Sequence, residues 1–579
     1  MTLTAVALLT LASAWTATAG LVSRGSTLST RSSFESNGDN NNEPPVVDLG
    51  YNLHRADTSA DDGEFYYTFS NIRYATANRF ARATYPPPSD RSRVYNGSQQ
   101  SVCPQAYPAW QFSAVSFLDG ADLRNATTEQ LLDPSILPPV AYTDEDCLHL
   151  DVQVPKAVFD KRKAGAKSRL LPILVYIHGG GYVQGHKSGD GGGEGLIARA
   201  IGLGTDGVMY VALNYRLGMF GWLSSPDDHI ANLGLHDQLT ALRWVRDHAR
   251  LFGGDPSRIT VLSQSAGAGS AAIHLTSTLA RGRAVPFQQA ILQSPYMSLL
   301  PSQATQAATY QRILDVADAG SVDELRKLDT RKLQDVNYAL VARSAYGAFT
   351  FGPVIDPDTF PAPLPSLLAS ISRQIRHKSR NRVSFPLIVS TNSKEGLLFA
   401  APNAVNTSTY LSSLSSLLPL YPRSRLADLT ATLYPASSYP GALSRLNSTL
   451  ADLLIRCTAR GLLTTFASSP RAYSYQYSVP SGVHAADLHY TFFSGDVDDL
   501  PQKNATVAHV FQSYIAGFAA LGGGSAPASD RTGVPALQPF GEKGMGVDLN
   551  VTGIAAKVAT WLNKEICDGL GEMLGGEYA

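Results

Sequence analysis

The chain has 579 residues, with 47 lysines and arginines against 48 aspartates and glutamates, so its formal net charge is −1. This balance provides neither a basic field for a nucleic-acid backbone nor an acidic tail, so nucleic acid is not an expected partner. Hydrophobic residues make up 44% of the chain and charged residues only 16%, below the roughly 25% of an average globular protein, which indicates a large core.

The amino-terminal segment predicts export from the cell. Residues 3 to 19 are an apolar run that ends in the small-x-small sequence Ala17-Thr18-Ala19, although no Lys or Arg precedes it. This pattern is typical of a secretory signal peptide over residues 1 to 19, with cleavage near Gly20. Residues 20 to 45 are rich in Ser and Asn and hold too few apolar side chains to order themselves, so a disordered segment is expected there.

Several later features agree with a secreted glycoprotein. Six N-x-Ser/Thr sequences without a central proline predict glycosylation acceptors at Asn96, Asn125, Asn406, Asn447, Asn504 and Asn550. No later stretch reaches 18 continuous apolar residues, and the chain ends without a hydrophobic tail, so no stable membrane anchor is expected.

The four cysteines are expected to form disulfides, because an oxidising compartment favours them over thiolate chemistry. Of the three possible pairings we favour Cys103 with Cys147, which closes a short loop, and Cys457 with Cys567, which ties the carboxyl end to the body. No Cys or His pair has the spacing of a zinc site, so no metal is expected.

From residue 171 onward, apolar runs alternate with helical patterns. Strands are predicted at 171–177, 207–213 and 258–264, and further strands at 287–293, 385–391 and 472–478. Between the second and third strands, Leu235, Leu239, Leu242 and Val245 recur at helical spacing and predict a helix over 233–248. Strands buried on both faces and joined by helices indicate an α/β fold with a parallel central sheet.

Ser265 stands where the predicted strand 258–264 meets a helix rich in small residues. This layout is typical of a nucleophile elbow, a strained strand-to-helix turn that lifts a serine above the sheet. The motif is Ser263-Gln264-Ser265-Ala266-Gly267, so serine replaces the first glycine of G-x-S-x-G. The alternative is that Ser265 only caps the helix.

A second motif supports the elbow. His178-Gly179-Gly180-Gly181 follows the predicted strand 171–177, and unshielded backbone N–H groups there suit a developing oxyanion. A flexible turn is the alternative, since Gly191-Gly192-Gly193 shows that glycine runs occur elsewhere in the chain.

The general base should be a histidine that follows the serine in the chain. The candidates are His274, His377, His484, His489 and His509. We favour His484, because it lies in a loop after the last predicted strand and can reach over the sheet. His274 lies within the helix after the elbow, and His377 lies in a basic, solvated segment.

The acid between serine and histidine is predicted to be Glu395, directly after strand 385–391, although an exposed turn acid is the alternative. Asp487 is too close to His484 in the chain for the expected order, and Asp356 in a Pro-rich turn is more typical of a structural residue.

With these motifs in place, the sequence from about residue 65 to 567 resembles the type-B carboxylesterase and lipase family of α/β-hydrolases. That family includes fungal lipases, cholinesterases and the non-enzymatic neuroligins. The matching stretches are 145–150, 214–218, 232–245, 252–256, Gln293-Ser294 and the segments that hold Ser265, Glu395 and His484. No single stretch identifies the family, but the stretches together do.

The resemblance implies a single α/β-hydrolase domain over residues 46 to 579 that cleaves carboxylic esters, from small molecules or lipids, without a cofactor. It implies a catalytic triad of Ser265, His484 and Glu395, and oxyanion-hole amides at Gly180, Gly181 and Ala266. It further implies that Ser294 lies near the histidine, that the pairs Arg79–Glu145 and Arg216–Asp237 are structural, and that both favoured disulfides form.

The sequence also departs from the family. Ser263 adds a hydroxymethyl group to the elbow, and Gln264 stands where glutamate is usual. The lost negative charge disfavours a cationic alcohol such as choline, and Trp110 does not fall where a choline-site tryptophan would. The segment between Cys103 and Cys147 is rich in aromatic residues, which favours a lid over a plain covering loop.

Two other functions remain open from the sequence. A non-catalytic, neuroligin-like binding protein has the same fold, although it would not need all three of Ser265, Glu395 and His484. A serine peptidase on this fold is the weaker alternative.

Overall fold

In the computed structural model, the described residues are 44–57, 65–88, 91–165, 169–225, 227–297, 303–377, 385–523 and 534–574. The predicted signal peptide lies outside these residues, and so does the predicted disordered segment 20–45 apart from its last two residues.

The strands are β1 (Val46–Asp48), β2 (Leu53–Arg55), β3 (Tyr66–Arg73), β4 (Val94–Tyr95), β5 (His149–Pro155), β6 (Leu171–Ile177), β7 (Met209–Leu213), β8 (Gly254–Gln264), β9 (Gln289–Gln293), β10 (Leu387–Asn392), β11 (Ala472–Tyr477), β12 (Met545–Asn550) and β13 (Gly553–Val558). Ten of them form one sheet in the order β13-β12-β11-β10-β9-β8-β6-β7-β5-β3, and β1, β2 and β4 form a small separate sheet.

The large sheet is parallel from β7 to β12 and antiparallel at both edges. Every residue of β6, β7, β9, β10 and β11 is buried, as expected for parallel strands covered on both faces. The predicted α/β-hydrolase architecture is therefore confirmed, and the predicted strands agree with the observed ones within two residues, except that β8 begins four residues earlier than expected.

The helices are α1 (Ala109–Leu118), α2 (Thr128–Leu131), α3 (Lys156–Lys163), α4 (Glu194–Gly202), α5 (Gly218–Trp222), α6 (Leu233–His248), α7 (Ser265–Ala280), α8 (Gln303–Ala317), α9 (Val322–Lys327), α10 (Thr330–Ala342), α11 (Leu364–His377), α12 (Thr407–Leu417), α13 (Arg423–Leu433), α14 (Ala442–Ala451), α15 (Cys457–Thr465), α16 (Leu488–Thr491), α17 (Ala505–Ala520) and α18 (Lys564–Met573). A π-helical turn, Asp452–Arg456, joins α14 to α15.

Apolar side chains cover both faces of the sheet. On one face α17 and α4 pack against each other and over β6, and on the other α7 packs against β8, β9 and α11. Helix α6 has the bounds that its apolar spacing predicts. None of the helices that the structure describes is both long and apolar enough to cross a membrane.

Both disulfides pair as the sequence favours. Cys103 bonds to Cys147 across a separation of 44 residues, and Cys457 bonds to Cys567 across 110. The second disulfide fixes α18 near the carboxyl end to the start of α15, which packs beside β10 and β11.

Candidate active site

The elbow at Ser265 is built from the end of β8 and the start of α7. Ser265 has a φ of 53°, in the left-handed region that costs energy for a residue with a side chain. A Cβ on Gly267 would lie 2.2 Å from the carbonyl oxygen of Ile177, so only glycine fits there. Ser263 does fit the turn: it is fully buried, and its hydroxyl donates to the Ile291 carbonyl at 3.4 Å.

Ser265, His484 and Glu395 lie in one hydrogen-bonded array. Nε2 of His484 lies 2.8 Å from Oγ of Ser265, and Nδ1 lies 2.7 Å from Oε2 of Glu395. Because a carboxylate only accepts, Nδ1 carries the hydrogen and Nε2 keeps a lone pair for the serine hydroxyl. The three side chains are 7%, 5% and 0% exposed respectively.

The sheet topology explains why these residues meet. Strands β8, β10 and β11 run parallel, so their carboxyl ends reach the same edge of the sheet. Ser265 follows β8, Glu395 lies three residues after β10, and His484 lies in the loop after β11. Residues separated by 219 positions in the chain are thereby brought within hydrogen-bond distance.

The other oxygen of Glu395 is held by two donors. Oε1 accepts from the Ser294 hydroxyl at 2.6 Å and from the Asn392 backbone N–H at 2.6 Å. Ser294 thus contacts the carboxylate that holds His484. Asn392 was not predicted, because no sequence signal separates it from other residues at a strand end.

The glycine motif at 178–181 lies beside the serine, since a Cβ on Gly179 would be 3.1 Å from the Cβ of Ser265. Gly180 and Gly181 both have positive φ, 98° and 60°. A Cβ on Gly181 would lie 2.2 Å from the ring of Phe349, so a side chain there would displace that ring. Ala266 is the second residue of α7, where a backbone N–H has no partner within the helix.

Aromatic rings surround the array. The Phe399 ring lies 5.1 Å from the His484 ring and 5.8 Å from Tyr296, and the Phe349 ring lies 5.8 Å from Tyr296. Trp110 packs against both phenylalanines and donates from Nε1 to the Ala348 carbonyl at 2.7 Å. The four rings form an aromatic wall beside the histidine.

Phe349 lines a cavity of about 190 Å³. Its lining includes Trp222, Tyr296, Ile313 and Leu454, together with hydroxyl and amide groups such as that of Gln306. Phe349 borders this cavity and lies beside Gly181, so its ring stands between the cavity and the glycine motif.

The segment between Cys103 and Cys147 is packed into the site. Helix α1 buries Trp110 completely, and Gln111 accepts from the Gln184 side chain at 3.0 Å. Ser113 donates to the Leu131 carbonyl at 2.9 Å. Through these contacts the helix covers one side of the site, and its movement as the lid that the sequence favours stays a prediction.

Two polar side chains near the array are buried with incomplete hydrogen bonding. Gln264 is 2% exposed and its Nε2 has no partner among the described residues. Asp487 is 1% exposed, and burial together with the charge of Glu395 raises its pKa to about 6. Glu395, not Asp487, contacts His484, as the chain order predicts.

The remaining predicted residues lie outside the array. Arg79 pairs with Glu145 at 2.6 Å, and Arg216 forms a buried pair with Asp237 at 2.7 Å. Asp356 accepts from backbone and side-chain groups of its own turn and from Asn232, and His274 hydrogen bonds to Gln238 inside the core. All of these contacts are structural. The described residues contain no group of three or more His, Cys, Asp or Glu side chains that could hold a metal ion.

The glycosylation sequences differ in exposure. The exposed acceptors are Asn96, Asn125 and Asn406, and the half-buried ones are Asn447, Asn504 and Asn550. Asn447 lies within α14 with its Oδ1 buried and unpaired, so it is the least suited of the six to carry a glycan.

The comparisons with known proteins all find esterases. A sequence model of the carboxylesterase family matches residues 54–560. Carboxylesterase patB of Penicillium expansum is 36% identical over 512 residues, which is 83% of this chain and 88% of that protein. Para-nitrobenzyl esterase of Bacillus subtilis is 28% identical over 72% of this chain and 83% of its own length. The crystal structure of Aspergillus niger EstA, 21% identical, superposes with a TM-score of 0.72 over 92% of this chain and 99% of that one.

Proposed function

Since this chain belongs to the carboxylesterase family, we propose that it hydrolyses uncharged carboxylic esters through an acyl-enzyme formed on Ser265. The observation that carries the proposal is the array in which Oγ of Ser265, the His484 ring and Glu395 are joined at 2.8 Å and 2.7 Å. A nucleophile, a base and a group that orients the base are then within reach of one another.

In the first half-reaction, Oγ of Ser265 attacks the ester carbonyl carbon as Nε2 of His484 takes the hydroxyl proton. The carbonyl oxygen becomes an oxyanion that accepts from the amides of Gly180, Gly181 and Ala266, each donor contributing about 2.7 to 4 kcal/mol to lowering the barrier. The carbon–oxygen bond to the alcohol breaks, and His484 gives its proton to that alcohol.

In the second half-reaction, water attacks the acyl-enzyme and gives a proton to His484. The tetrahedral intermediate collapses, the acid leaves, and Ser265 recovers its proton. Glu395 keeps Nδ1 protonated throughout and stabilises the imidazolium that forms twice in each cycle. The burial of the three side chains keeps bulk water from the array and so strengthens these electrostatic interactions.

The surroundings of the array favour neutral substrates. Gln264 precedes the serine without a charge, and the cavity beside Phe349 is lined by apolar and uncharged polar side chains. A charged group would lose its hydration there without gaining a partner. The packed helix α1 favours an esterase of dissolved substrates over a lipase that opens at an interface.

Secretion and glycosylation are part of the same proposal. The two disulfides join buried cysteines and are typical of a protein from an oxidising compartment. In three of the six acceptor sequences the asparagine is exposed. Amino-terminal sequencing of protein from the culture medium of a eukaryotic host should begin near Gly20.

Hydrolysis of p-nitrophenyl acetate and butyrate by the full chain tests the proposal. Ser265→Ala should lower kcat by about four to six orders of magnitude, because it removes the atom that forms the acyl bond. Ser277→Ala is a matched control, since Ser277 is a buried serine farther along α7. Equal rates for wild type and Ser265→Ala would overturn the proposal that Ser265 is the nucleophile. No turnover by the wild type would overturn the esterase activity and favour a binding protein on this fold.

A further inference from the structure

Asn392 contacts both the acid and the segment that carries the base. It is the last residue of β10 and is fully buried. Its backbone N–H donates to Oε1 of Glu395 at 2.6 Å. Its side-chain Nδ2 donates to the carbonyl of Val483, the residue before His484, at 2.9 Å and to Oδ1 of Asp487 at 3.1 Å. One residue therefore spans the acid loop and the histidine loop.

The backbone joins the same two loops. The Lys394 N–H donates to the Gly482 carbonyl at 2.8 Å, and Lys394 pairs with Val483 as an isolated parallel bridge. These bonds set the spacing of the loops, and the turn after His484 is closed by backbone bonds from Ala486 to Val483 and from Leu488 to Ala485, both at 3.1 Å. The contact from Asn392 to Asp487 is the side-chain bond that joins this turn to β10.

Asp487 is expected to lower the stability of the folded protein at this position. Its Oδ2 has no hydrogen-bond partner among the described residues, and it is 1% exposed beside another carboxyl, Glu395. A buried carboxyl with one partner destabilises a fold unless a nearby positive charge compensates it. His484 becomes such a group when it takes the serine proton: a positive charge there lowers the pKa of Asp487, whereas burial and Glu395 raise it.

We propose that Asn392 and Asp487 are a positioning pair for the triad, in which Asn392 holds the histidine loop against the acid and the Asp487 carboxylate stabilises the imidazolium of His484. This inference rests on the proposed function, because it assigns the imidazolium a place in the cycle. Asp487 acts through His484 and touches no substrate.

The neighbours of Asp487 allow this role. Burial raises the pKa of each surrounding tyrosine, so these phenols stay neutral and cannot supply the compensating charge. The titratable groups that face the Asp487 carboxyl are Glu395, His484, Tyr176, Tyr475 and Tyr477. His484 is the one member of this set that becomes positive in the reaction.

Asp487→Asn in the full chain tests the electrostatic part, because the amide keeps an oxygen for Asn392 and loses the charge. Without that charge the imidazolium is less stable, so the acidic limb of the kcat/KM profile should move to lower pH by about half a unit or more. kcat should fall about three- to thirtyfold with KM little changed, since the lost interaction is made when His484 is charged.

Asp356→Asn is the matched control. Asp356 also accepts from a buried asparagine, Asn232, but contacts no member of the array. Its replacement should lower stability and leave the acidic limb in place. An equal displacement of the limb in both variants, or none in a folded Asp487→Asn protein, would overturn the proposal.

A proton NMR measurement, which does not require ester hydrolysis, separates this inference from the proposed function. The proton that His484 donates to Glu395 should give a far-downfield resonance, and its titration midpoint should move to lower pH in Asp487→Asn. If Ser265→Ala proved as active as wild type, the esterase mechanism would fail while this resonance still tested the pair. An unmoved midpoint would contradict the pair whatever the activity.

A second variant, Asn392→Ala, tests whether Asn392 positions the histidine loop, and it can be measured even if Asp487→Asn does not fold. Asn392→Ala should lower kcat about ten- to a hundredfold and broaden the downfield resonance. In the double variant the losses should be less than additive, because Asn392→Ala removes the hydrogen bond that holds residue 487 beside His484, so the charge lost in Asp487→Asn then matters less. Full additivity, or wild-type kcat in Asn392→Ala, would show that the two residues act apart.

Discussion

The hydroxyl of Ser294 donates to Oε1 of Glu395 at 2.6 Å, while the other oxygen of the same carboxylate faces His484 at 2.7 Å. Ser294 follows β9, the strand between the one that ends at the nucleophile and the one that precedes the acid. The carboxylate is therefore held from both sides and cannot rotate away from the imidazole.

Replacement of Ser294 by alanine should lower kcat about ten- to a hundredfold with little change in KM. The removed hydrogen bond to a charged, fully buried group corresponds to about 1.5 to 3 kcal/mol, and it orients the acid rather than binding substrate. Steady-state kinetics with p-nitrophenyl butyrate measures this. Ser277→Ala, a buried serine away from the acid, should keep the wild-type kcat; a raised KM with normal kcat in Ser294→Ala would place Ser294 in substrate binding instead.

Replacement of Phe349 by alanine should shift the preferred acyl chain to greater length. The ring lies against Gly181 and borders the adjacent cavity of about 190 Å³, so its loss joins that space to the oxyanion glycines. A series of p-nitrophenyl esters from acetate to decanoate should show the octanoate-to-acetate ratio of kcat/KM rising about tenfold or more, since each buried methylene contributes about 0.8 kcal/mol.

Phe385→Ala is the control for that series, because Phe385 is a core phenylalanine that packs on Phe287 and Phe466 and lies outside the cavity lining. Its octanoate-to-acetate ratio should stay that of the wild type. A ratio that is unchanged in Phe349→Ala would mean that the acyl group lies elsewhere.

The two disulfides should affect stability and activity differently. Loss of Cys457–Cys567, which closes 110 residues, removes a restraint of about 5 kcal/mol on the unfolded chain, and loss of Cys103–Cys147, which closes 44, removes about 4 kcal/mol. Cys457→Ser with Cys567→Ser should therefore show the larger fall in Tm.

The paired variant Cys103→Ser with Cys147→Ser should show the larger loss of kcat/KM at a temperature where both remain folded. The reason is that this loop carries Trp110, which packs on Phe349 and Phe399 in the wall of the site. Calorimetry and kinetics on the same preparations check the order, and the opposite ranking for activity would show that the wall does not depend on the loop.

Asp487 should make the protein less stable as the pH rises. Its folded-state pKa is raised to about 6 from an ordinary value of 3.8, so the folded state holds the proton more tightly. The resulting stability is full below pH 4 and is lost as the pH rises through 6, to an extent of at most about 3 kcal/mol.

Asp487→Asn should therefore have a Tm that exceeds that of the wild type by more at pH 7.5 than at pH 4.5. The same variant should hydrolyse esters more slowly, so Asp487 lowers the stability of the protein while it raises activity. Thermal unfolding at both pH values measures the difference, and a Tm gap that does not depend on pH would show that the carboxyl is not protonated in the fold near pH 5.

The sequence predicts the central fold well because its strongest patterns belong to the most buried elements. The run 171–177 and the helix 233–248 have the bounds that their apolar residues indicate. Strands β3, β5, β12 and β13, the two outermost strands at each end of the sheet, were missed, since each has partly exposed residues and lacks a continuous apolar run. Their place is decided by pairing with distant strands, which no local pattern records.

The same distinction holds for the candidate site. Ser265, Glu395 and His484 could be proposed because chain order and strand ends restrict them to few positions. Asn392 could not, because its role comes from contacts with a loop about 90 residues away. The aromatic wall was missed for the same reason, since composition does not show that Trp110 is buried.

Covalent labelling of the nucleophile tests the central claim most directly. Diisopropyl fluorophosphate should add one phosphoryl group per chain, found by intact mass and located on Ser265 by peptide mapping, with loss of ester hydrolysis in proportion to labelling. Ser265→Ala should take up none, whereas Ser277→Ala should be labelled like the wild type. Labelling at another residue, or full hydrolysis by a chain labelled at Ser265, would contradict the account.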